Sequence, residues 1–140
     1  MTFMIREFRA EDATKLEGAP PIEGRYIGMT ATLDGVDPAG YAGLYRMLER
    51  DWVFFLIADS EAGQLLRKQR SMVARLVLEN LRLYASHGYT ELLTPCNLDK
   101  PRAVEFLEWL GFVPLPDDGK LPAILAWEEA NGSKVWVWRA

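Results

Sequence analysis

The segment Asp51–Ala58 restricts the fold of this chain more than any other stretch. It reads DWVFFLIA, so every residue after the first is apolar. A strand of this kind buries both of its faces, as the central strands of α/β sheets do, because helices cover the sheet on both sides. The sequence therefore predicts a layered α/β domain with this strand at the centre of its sheet.

A long amphipathic helix is predicted over Gln64–Ser86. Its apolar residues recur at helical spacing on one broad stripe, and its charged residues fall mostly outside that stripe. Gly88 suits the left-handed conformation that ends many helices. Asp59 and Ser60, which separate the strand from the helix, are residue types that cap helix starts. The pattern indicates a buried strand followed by a helix with one solvated face.

Shorter patterns predict the remaining elements. Strands are expected at Met4–Phe8, Arg25–Leu33, Tyr41–Leu48, Glu91–Pro95, Phe112–Leu115 and Lys134–Trp138. The segment Tyr41–Leu48 would also suit a helical turn, because Leu44 and Leu48 are four residues apart. A short helix is expected over Glu11–Leu16, and another begins at Pro101, since proline suits the first turn of a helix. The whole chain, 1–140, is expected to form a single domain.

The composition argues against several classes of protein. The net charge is −4, whereas a nucleic-acid-binding domain normally carries a basic excess. No apolar run approaches the roughly 20 residues that span a membrane. Cys96 is the only cysteine, so no internal disulfide can form, and a cytoplasmic location is expected. With His87 as the only histidine, a metal site is not expected.

The second half of the chain carries a pattern that resembles the GCN5-related N-acetyltransferases (GNAT). The residues that carry it are Gly88-Tyr89, Leu92–Pro95, Asn97, Ala103 and Leu110-Gly111-Phe112. In that family a long helix ends at a glycine, a strand follows, and a short helix leads into a Gly-Phe pair. The resemblance implies a central mixed, mostly antiparallel twisted sheet flanked by helices. It also implies acyl transfer from acetyl-CoA to the amine of a small molecule or a protein.

The resemblance implies a set of site residues as well. The backbone of the central strand would align the pantetheine arm, and the N–H groups at the start of the long helix would bind the pyrophosphate. The implied cofactor-binding residues are Leu56, Ile57, Ala58, Arg67, Lys68, Gln69, Arg70, Ser71 and Asn97. Asp59 would accept the amine proton through water. Several of them have a structural alternative: a helix cap for Asp59, a solvated helix face for the cations, and a turn for Asn97.

Two positions depart from the family pattern. The phosphate-binding loop of the family reads Gln/Arg-x-x-Gly-x-Gly/Ala, and the matching segment here, Gln69–Ala74, has Met72 in place of the first glycine. Leu107 stands where family enzymes often have a tyrosine that protonates the leaving thiolate. Two functions therefore remain open: an acyl-CoA-dependent acyltransferase, and an inactive GNAT-fold module for binding or assembly. A third interpretation, a small α/β domain outside the GNAT fold, holds if the first half does not form antiparallel strands.

Further expectations concern partners. The segment Phe106–Phe112 also resembles bacteriophage-encoded GNAT-like proteins, some of which are internal virion components, and this resemblance implies a virion location if the chain is phage-encoded. The last strand is apolar on both faces, which predicts a homo-oligomer formed through it. The five tryptophans are expected to lie mostly in the core.

Overall fold

A computed structural model of the protein describes residues 2–9, 11–12 and 26–140. Most of the helix expected over Glu11–Leu16 therefore lies outside the described residues. The strands are β1 (Phe3–Glu7), β2 (Tyr26–Leu33), β3 (Asp37–Met47), β4 (Arg50–Ile57), β5 (Glu91–Cys96), β6 (Val113–Pro114) and β7 (Lys134–Arg139). The helices are α1 (Glu61–Arg67), α2 (Arg70–Ser86), α3 (Pro101–Leu110) and α4 (Pro122–Asn131), and a 3-10 turn covers Asp117–Gly119.

The seven strands form one sheet in the order β1-β2-β3-β4-β5-β7-β6. β1 pairs with β2 and β2 with β3 in antiparallel orientation, and β7 pairs antiparallel with both β5 and β6. β4 and β5 are parallel, with Trp52 opposite Leu93. Parallel neighbours need a long connection, and the chain between them forms helices α1 and α2. The predicted mixed, mostly antiparallel sheet flanked by helices is confirmed.

The prediction of one helix over Gln64–Ser86 was wrong, because the segment forms two helices. α1 ends in a tight turn in which the N–H groups of Lys68 and Gln69 each donate to a carbonyl three residues back. α2 begins at the next residue, Arg70. The apolar stripe continues across the break, since Leu66 of α1 and Met72 of α2 contact the same core cluster. The hydrophobic period alone therefore did not reveal the interruption.

Helix α4 was also missed by the sequence analysis. It begins at Pro122 and ends at Gly132, whose φ of 64° is the left-handed conformation that favours glycine. The side chains of Ile124 and Glu128, four residues apart, are both buried. An acidic residue at a core position hides the apolar stripe, and for that reason the segment did not stand out as a helix.

The described chain divides into two compact units. The first comprises the described residues up to 46 together with 53–77, and the second comprises 47–52 and 78–140. In the first unit Ala39, Ala62 and Leu66 form a buried cluster. Gly63 lets α1 approach the strand closely, because a Cβ at this position would lie 1.8 Å from the carbonyl oxygen of Ala58. The end of β4 and the start of α1 are thereby held together.

In the second unit β7 is buried on both of its faces. Its four central residues, Val135 to Trp138, are all buried within the chain itself. The indole N–H of Trp138 donates to the carbonyl of Leu110 on α3 at 3.1 Å. The apolar character of this strand, from which a homo-oligomer was predicted, therefore needs no second subunit. Trp109 is an exception to the expected burial of the tryptophans, since it is 59% exposed.

Candidate functional site

The segment that follows β4 places Asp59 in solvent. Its side chain is 96% exposed and lies 3.5 Å from the guanidinium of Arg67. The residue that caps α1 is the next one, Ser60, whose hydroxyl accepts a hydrogen bond from the N–H of Gly63 at 3.3 Å. The proposed general base is thus an exposed carboxylate that has a cation beside it.

The backbone at the end of β4 already has partners within the first unit. The carbonyl of Ile57 accepts a hydrogen bond from the Arg67 guanidinium at 3.0 Å, and the N–H of Ala58 donates to the carbonyl of Ala39 at 2.9 Å. Leu56 packs against the cluster that contains Ala58. A ligand that aligned on the N–H of Ala58 would have to displace its bond to Ala39, whereas the carbonyl of Ile57 keeps a second lone pair.

The start of α2 offers unused hydrogen-bond donors. No partner occurs for the N–H groups of Arg70, Ser71 and Met72 in the part of the chain that the structure describes, whereas the next N–H, of Val73, donates to Gln69 at 3.0 Å. The first turn contains no acidic residue. These free donors and the positive end of the helix dipole together favour an anion.

Basic residues lie next to these donors in the sequence. The residues of this segment that the sequence analysis selected are all exposed: Arg67, Lys68, Gln69, Arg70 and Ser71. The structure therefore brings together the part of the implied site that would bind phosphate groups. We refer to the free N–H groups of residues 70–72 and the side chains of Lys68 and Arg70 as the helix-start cluster.

Met72 occupies the position of the first glycine in the family loop. Its side chain is partly buried and packs against the core cluster formed by Ala39, Ala62 and Leu66. Because the side chain contacts the core, the methionine is consistent with an exposed anion site at the start of α2.

Asn97 lies in the second unit, directly after β5. Its side-chain oxygen accepts a hydrogen bond from the N–H of Asp99 at 3.0 Å, and its carbonyl accepts one from Lys100 at 3.1 Å. This arrangement is an Asx turn, which leads the chain into α3. The structure thus gives Asn97 a local role in the turn.

Three buried side chains of the second unit are poorly suited to proton transfer or nucleophilic attack. Leu107 is buried on α3 and has no proton to donate. Burial raises the pKa of the Tyr84 hydroxyl. Burial, with the charge of Glu108 adding to it, also raises the pKa of the Cys96 thiol, so this side chain is a weak nucleophile. Among the described residues, no group of three His, Cys, Asp or Glu side chains could hold a metal ion.

Sequence reasoning did not single out a group of charges in the second unit. Glu91 lies between the guanidiniums of Arg50 and Arg139, at 3.1 Å and 3.2 Å. The three residues start or end three different strands, and β5 and β7 pair so that Glu91 and Arg139 are opposite each other. Only the strand pairing could have indicated that they meet, because their separation in sequence is about 40 residues or more.

The fold matches solved N-acetyltransferases. One from Staphylococcus aureus Mu50 aligns over 99% of this chain and 98% of its own, with a TM-score of 0.64 and 13% identity. The ribosomal-protein-S18-alanine N-acetyltransferase of Escherichia coli aligns over 97% and 91%, with a TM-score of 0.59 and 17% identity. N-acetylglutamate synthase from Neisseria gonorrhoeae, solved with coenzyme A and N-acetyl-glutamate, aligns over 99% of this chain and 35% of its own, with a TM-score of 0.62 and 15% identity.

The chain therefore has the GNAT fold that the resemblance implied. No protein-family model matches the sequence, and no match is found among curated proteins. Among the described residues, no helix is both long and apolar enough to cross a membrane.

Proposed function

We propose that this chain binds acyl-CoA and transfers its acyl group to an amine of a small molecule or a protein. The fold supports this proposal, since the chain shares it with N-acetyltransferases. The observation that carries it is the helix-start cluster, in which free N–H groups stand beside exposed cations. Phosphate groups bind well at such a helix start.

The phosphates of the cofactor would contact the N–H groups of residues 70–72, and the side chains of Lys68 and Arg70 would supply opposite charge. Arg67 is a weaker candidate for this role, because its guanidinium already contacts Ile57 and Asp59. The cofactor, when bound, supplies a thioester as the acyl donor. Acetyl-CoA is the expected form, because the matched structures are N-acetyltransferases and one structure with this fold was solved with coenzyme A.

In the proposed reaction the amine nitrogen attacks the carbonyl carbon of the thioester, and the C–S bond breaks. The amine loses one proton, and the departing thiolate takes up one. Asp59 is proposed to receive the amine proton through water, as its full exposure allows. The proton for the thiolate would come from solvent, because Leu107 cannot donate one.

Two observations favour a second function. Leu107 is buried at the position of the family acid, and the backbone groups of Ile57 and Ala58 already have hydrogen-bond partners. These features favour a GNAT-fold module that binds or assembles without catalysis. Assembly into a phage particle, which the fainter resemblance implied, is one form that this function could take.

Titration calorimetry with acetyl-CoA tests the proposal. We expect saturable binding, and we expect Arg70→Glu and Lys68→Glu each to weaken it by about tenfold, because each variant places a negative charge at the anion site. Arg82→Glu is the matched control, since Arg82 is exposed on the same helix twelve residues after Arg70. The control should bind acetyl-CoA as the wild type does.

Turnover separates the two functions. Release of the coenzyme A thiol is measured with a thiol reagent in the presence of a diamine, an amino acid and a short peptide. Amine-dependent release supports the acyltransferase. If acetyl-CoA binds but none of these amines causes release of the thiol, the result supports the inactive module. If acetyl-CoA does not bind at about 1 mM, the acyltransferase proposal is overturned.

A further inference from the structure

The two edges of the sheet are built differently. β6 forms one edge with two residues, and one of them is Pro114, which has no N–H to offer to a neighbouring strand. β1 forms the other edge with five residues, Phe3–Glu7, which pair with β2 in an unbroken register. Natural sheets commonly protect an edge by shortening it or by placing a proline or a bulge in it. β1 has none of these three features.

The hydrogen bonds to β2 determine which backbone groups of β1 point outwards. The N–H of Phe8 donates to the carbonyl of Gly28 at 2.9 Å, and the carbonyl of Thr2 accepts the N–H of Asp34 at 2.8 Å. In an antiparallel pair the residues that bond to one neighbour alternate along the strand, so the even-numbered residues of β1 bond to β2. The backbone groups that point to the free edge are those of Phe3, Ile5 and Glu7.

These outward groups are available to a further strand. Within the described part of the chain, the N–H groups of Phe3, Ile5 and Glu7 have no partner. The carbonyl of Glu7 accepts a hydrogen bond from the guanidinium of Arg6 at 3.0 Å, and a carbonyl oxygen has a second lone pair. The same guanidinium is held by two hydrogen bonds to Asp12, each of 2.7 Å. The positive charge at this edge is therefore already balanced.

Apolar side chains are exposed on both faces of this edge. Met4 is 54% exposed and Ile5 is 44% exposed, and consecutive residues of a strand point to opposite faces. Met4 lies beside the turn between β2 and β3, since a Cβ on Gly35 would be 3.3 Å from its Sδ. Val36 in that turn is 70% exposed. A long edge with apolar side chains and free donors favours pairing with another strand.

We propose that β1 pairs antiparallel with β1 of a second copy of this chain, about a two-fold axis at Ile5. Ile5 then lies opposite the partner's Ile5, and Phe3 lies opposite the partner's Glu7. Each of these residue pairs exchanges two N–H···O bonds, so every outward group is used. An interface of identical patches around a two-fold axis is the commonest form of homo-oligomer.

Charge and strand length select this register. A shift of two residues in one direction would place Arg6 directly opposite the partner's Arg6, and like charges in that position destabilise a strand pair. The opposite shift would place Glu7 beyond the start of the partner's β1 and leave its backbone groups unpaired. About Ile5, by contrast, Arg6 lies opposite the partner's Met4, and no like charges face each other.

The expected dimer is weak. Stable protein interfaces bury about 1,200 Å² or more in total, and one pair of short strands buries less. We therefore expect a reversible dimer with a Kd on the order of 10–100 µM. Sedimentation velocity of the full chain from about 5 to 500 µM should show a shift from monomer to dimer. A monomer at every concentration would overturn the proposal.

Two variants act on the edge. Ile5→Lys places two ammonium groups side by side on the axis, and Ile5→Pro removes an outward N–H without removing a bond to β2. Each should weaken dimerisation by at least about tenfold. Val113→Lys is the matched control, because Val113 belongs to the other edge strand and is 52% exposed. It should associate as the wild type does.

A thermal melt checks that the variants fold, and Ile5→Lys keeps the test valid if the proline variant does not, because it leaves the backbone unchanged. Association of Ile5→Lys as strong as that of the wild type would overturn the proposal. Loss of association in Val113→Lys alone would do the same, since the contact would then lie at β6.

Hydrogen exchange tests the strand pair directly. The amide of Ile5 should exchange at least about threefold more slowly at 500 µM than at 5 µM, as the dimer forms. The amide of Arg6, which bonds to β2, should be protected at both concentrations. Protection of Ile5 at both concentrations would mean that another part of this chain covers the edge, and fast exchange at both would mean that the edge stays free. Either result would overturn the proposal. The experiment requires no acyl-CoA, so it can fail or succeed independently of the proposed acyltransferase function.

Discussion

Charged side chains serve different purposes in two regions of this molecule. At the start of α2, Lys68 and Arg70 are exposed beside backbone donors that have no partner. Around α4, Lys120 and Glu128 are buried and bonded to each other, and Glu128 also accepts a hydrogen bond from the N–H of Val135 at 2.7 Å. The buried charges are used within the fold, whereas the exposed ones remain available to a ligand.

This difference has an energetic basis. A buried charge has lost its water and depends on its partner, so removal of the partner is costly. An exposed charge keeps its water, and the loss of a neighbouring charge changes stability very little. Variants at both kinds of site can therefore test whether the loss of stability on removing a charge depends on how deeply that charge is buried.

The largest effect is expected for Glu128→Ala. It leaves the buried ammonium of Lys120 with only Asp117 and removes the acceptor for Val135. We expect the free energy of unfolding to fall by about 3–5 kcal/mol, as measured by urea denaturation. Glu129→Ala is the matched control, because Glu129 is exposed on the same helix. Similar losses in the two variants would contradict the comparison.

An intermediate effect is expected at a buried carboxylate of the first unit. Two hydrogen bonds from Arg6 hold the pKa of Asp12 at about 2, below its ordinary 3.8, although burial opposes this shift. The N–H of Arg9 and the hydroxyl of Thr30 also donate to this carboxylate. Since the folded-state pKa is the lower one, the stabilisation is present above pH 3.8 and is lost as the pH falls towards 2.

The shift at Asp12 corresponds to about 2 kcal/mol of pH-dependent stability. Asp12→Asn should lose this contribution at pH 7 and show less change in unfolding free energy than the wild type between pH 4 and pH 2. Urea denaturation across that range measures it, with Glu79→Gln on the exposed face of α2 as the control. An unchanged acid dependence in Asp12→Asn would refute the assignment.

A smaller loss is expected for the cap of α1. Ser60→Ala removes the hydroxyl that accepts the N–H of Gly63 and should cost about 1 kcal/mol of unfolding free energy. Ser71→Ala provides the comparison, because Ser71 is exposed at the start of α2. Thermal denaturation of both variants shows whether loss of the capping serine lowers the melting temperature more than loss of a serine that does not cap. Equal melting temperatures would argue against the cap.

The smallest effect is expected for Asp59→Asn. The carboxylate is almost fully exposed, and its contact with Arg67 should contribute under about 0.5 kcal/mol. If Asp59 is the base of an acyltransferase, the same variant should slow amine-dependent thiol release while acetyl-CoA affinity stays unchanged. A loss of stability as large as that of Glu128→Ala would remove the distinction between the two regions.

Much of the fold could be predicted from the sequence where local chemistry decides it. The apolar run forms β4 at the centre of the sheet as expected, although only Trp52 and Val53 of this strand are fully buried. The proline at the start of α3 and the glycines Gly88 and Gly111 at helix ends also behave as expected, and both glycines have φ near 100°. These residues act through backbone conformation or burial of a single element. Such effects are visible in a short window of sequence.

The buried charges could not be predicted in the same way. Lys120 and Glu128 look like surface residues in the sequence, and their burial depends on the packing of α4 against β7. For the candidate site, the sequence indicated which residues lie near the start of α2. It did not show that Arg67 contacts Ile57, because that contact joins two residues ten positions apart on different elements.

The division into two units also determines how this protein can be cut or rearranged. Each unit consists of two separate lengths of chain, and both β4 and α2 contribute residues to both units. Neither unit can be expressed as one uninterrupted fragment, and a cut after residue 77 would divide α2 in its middle. Split reporters and circular permutants should therefore open the chain in exposed turns, such as the one at Asp34-Gly35.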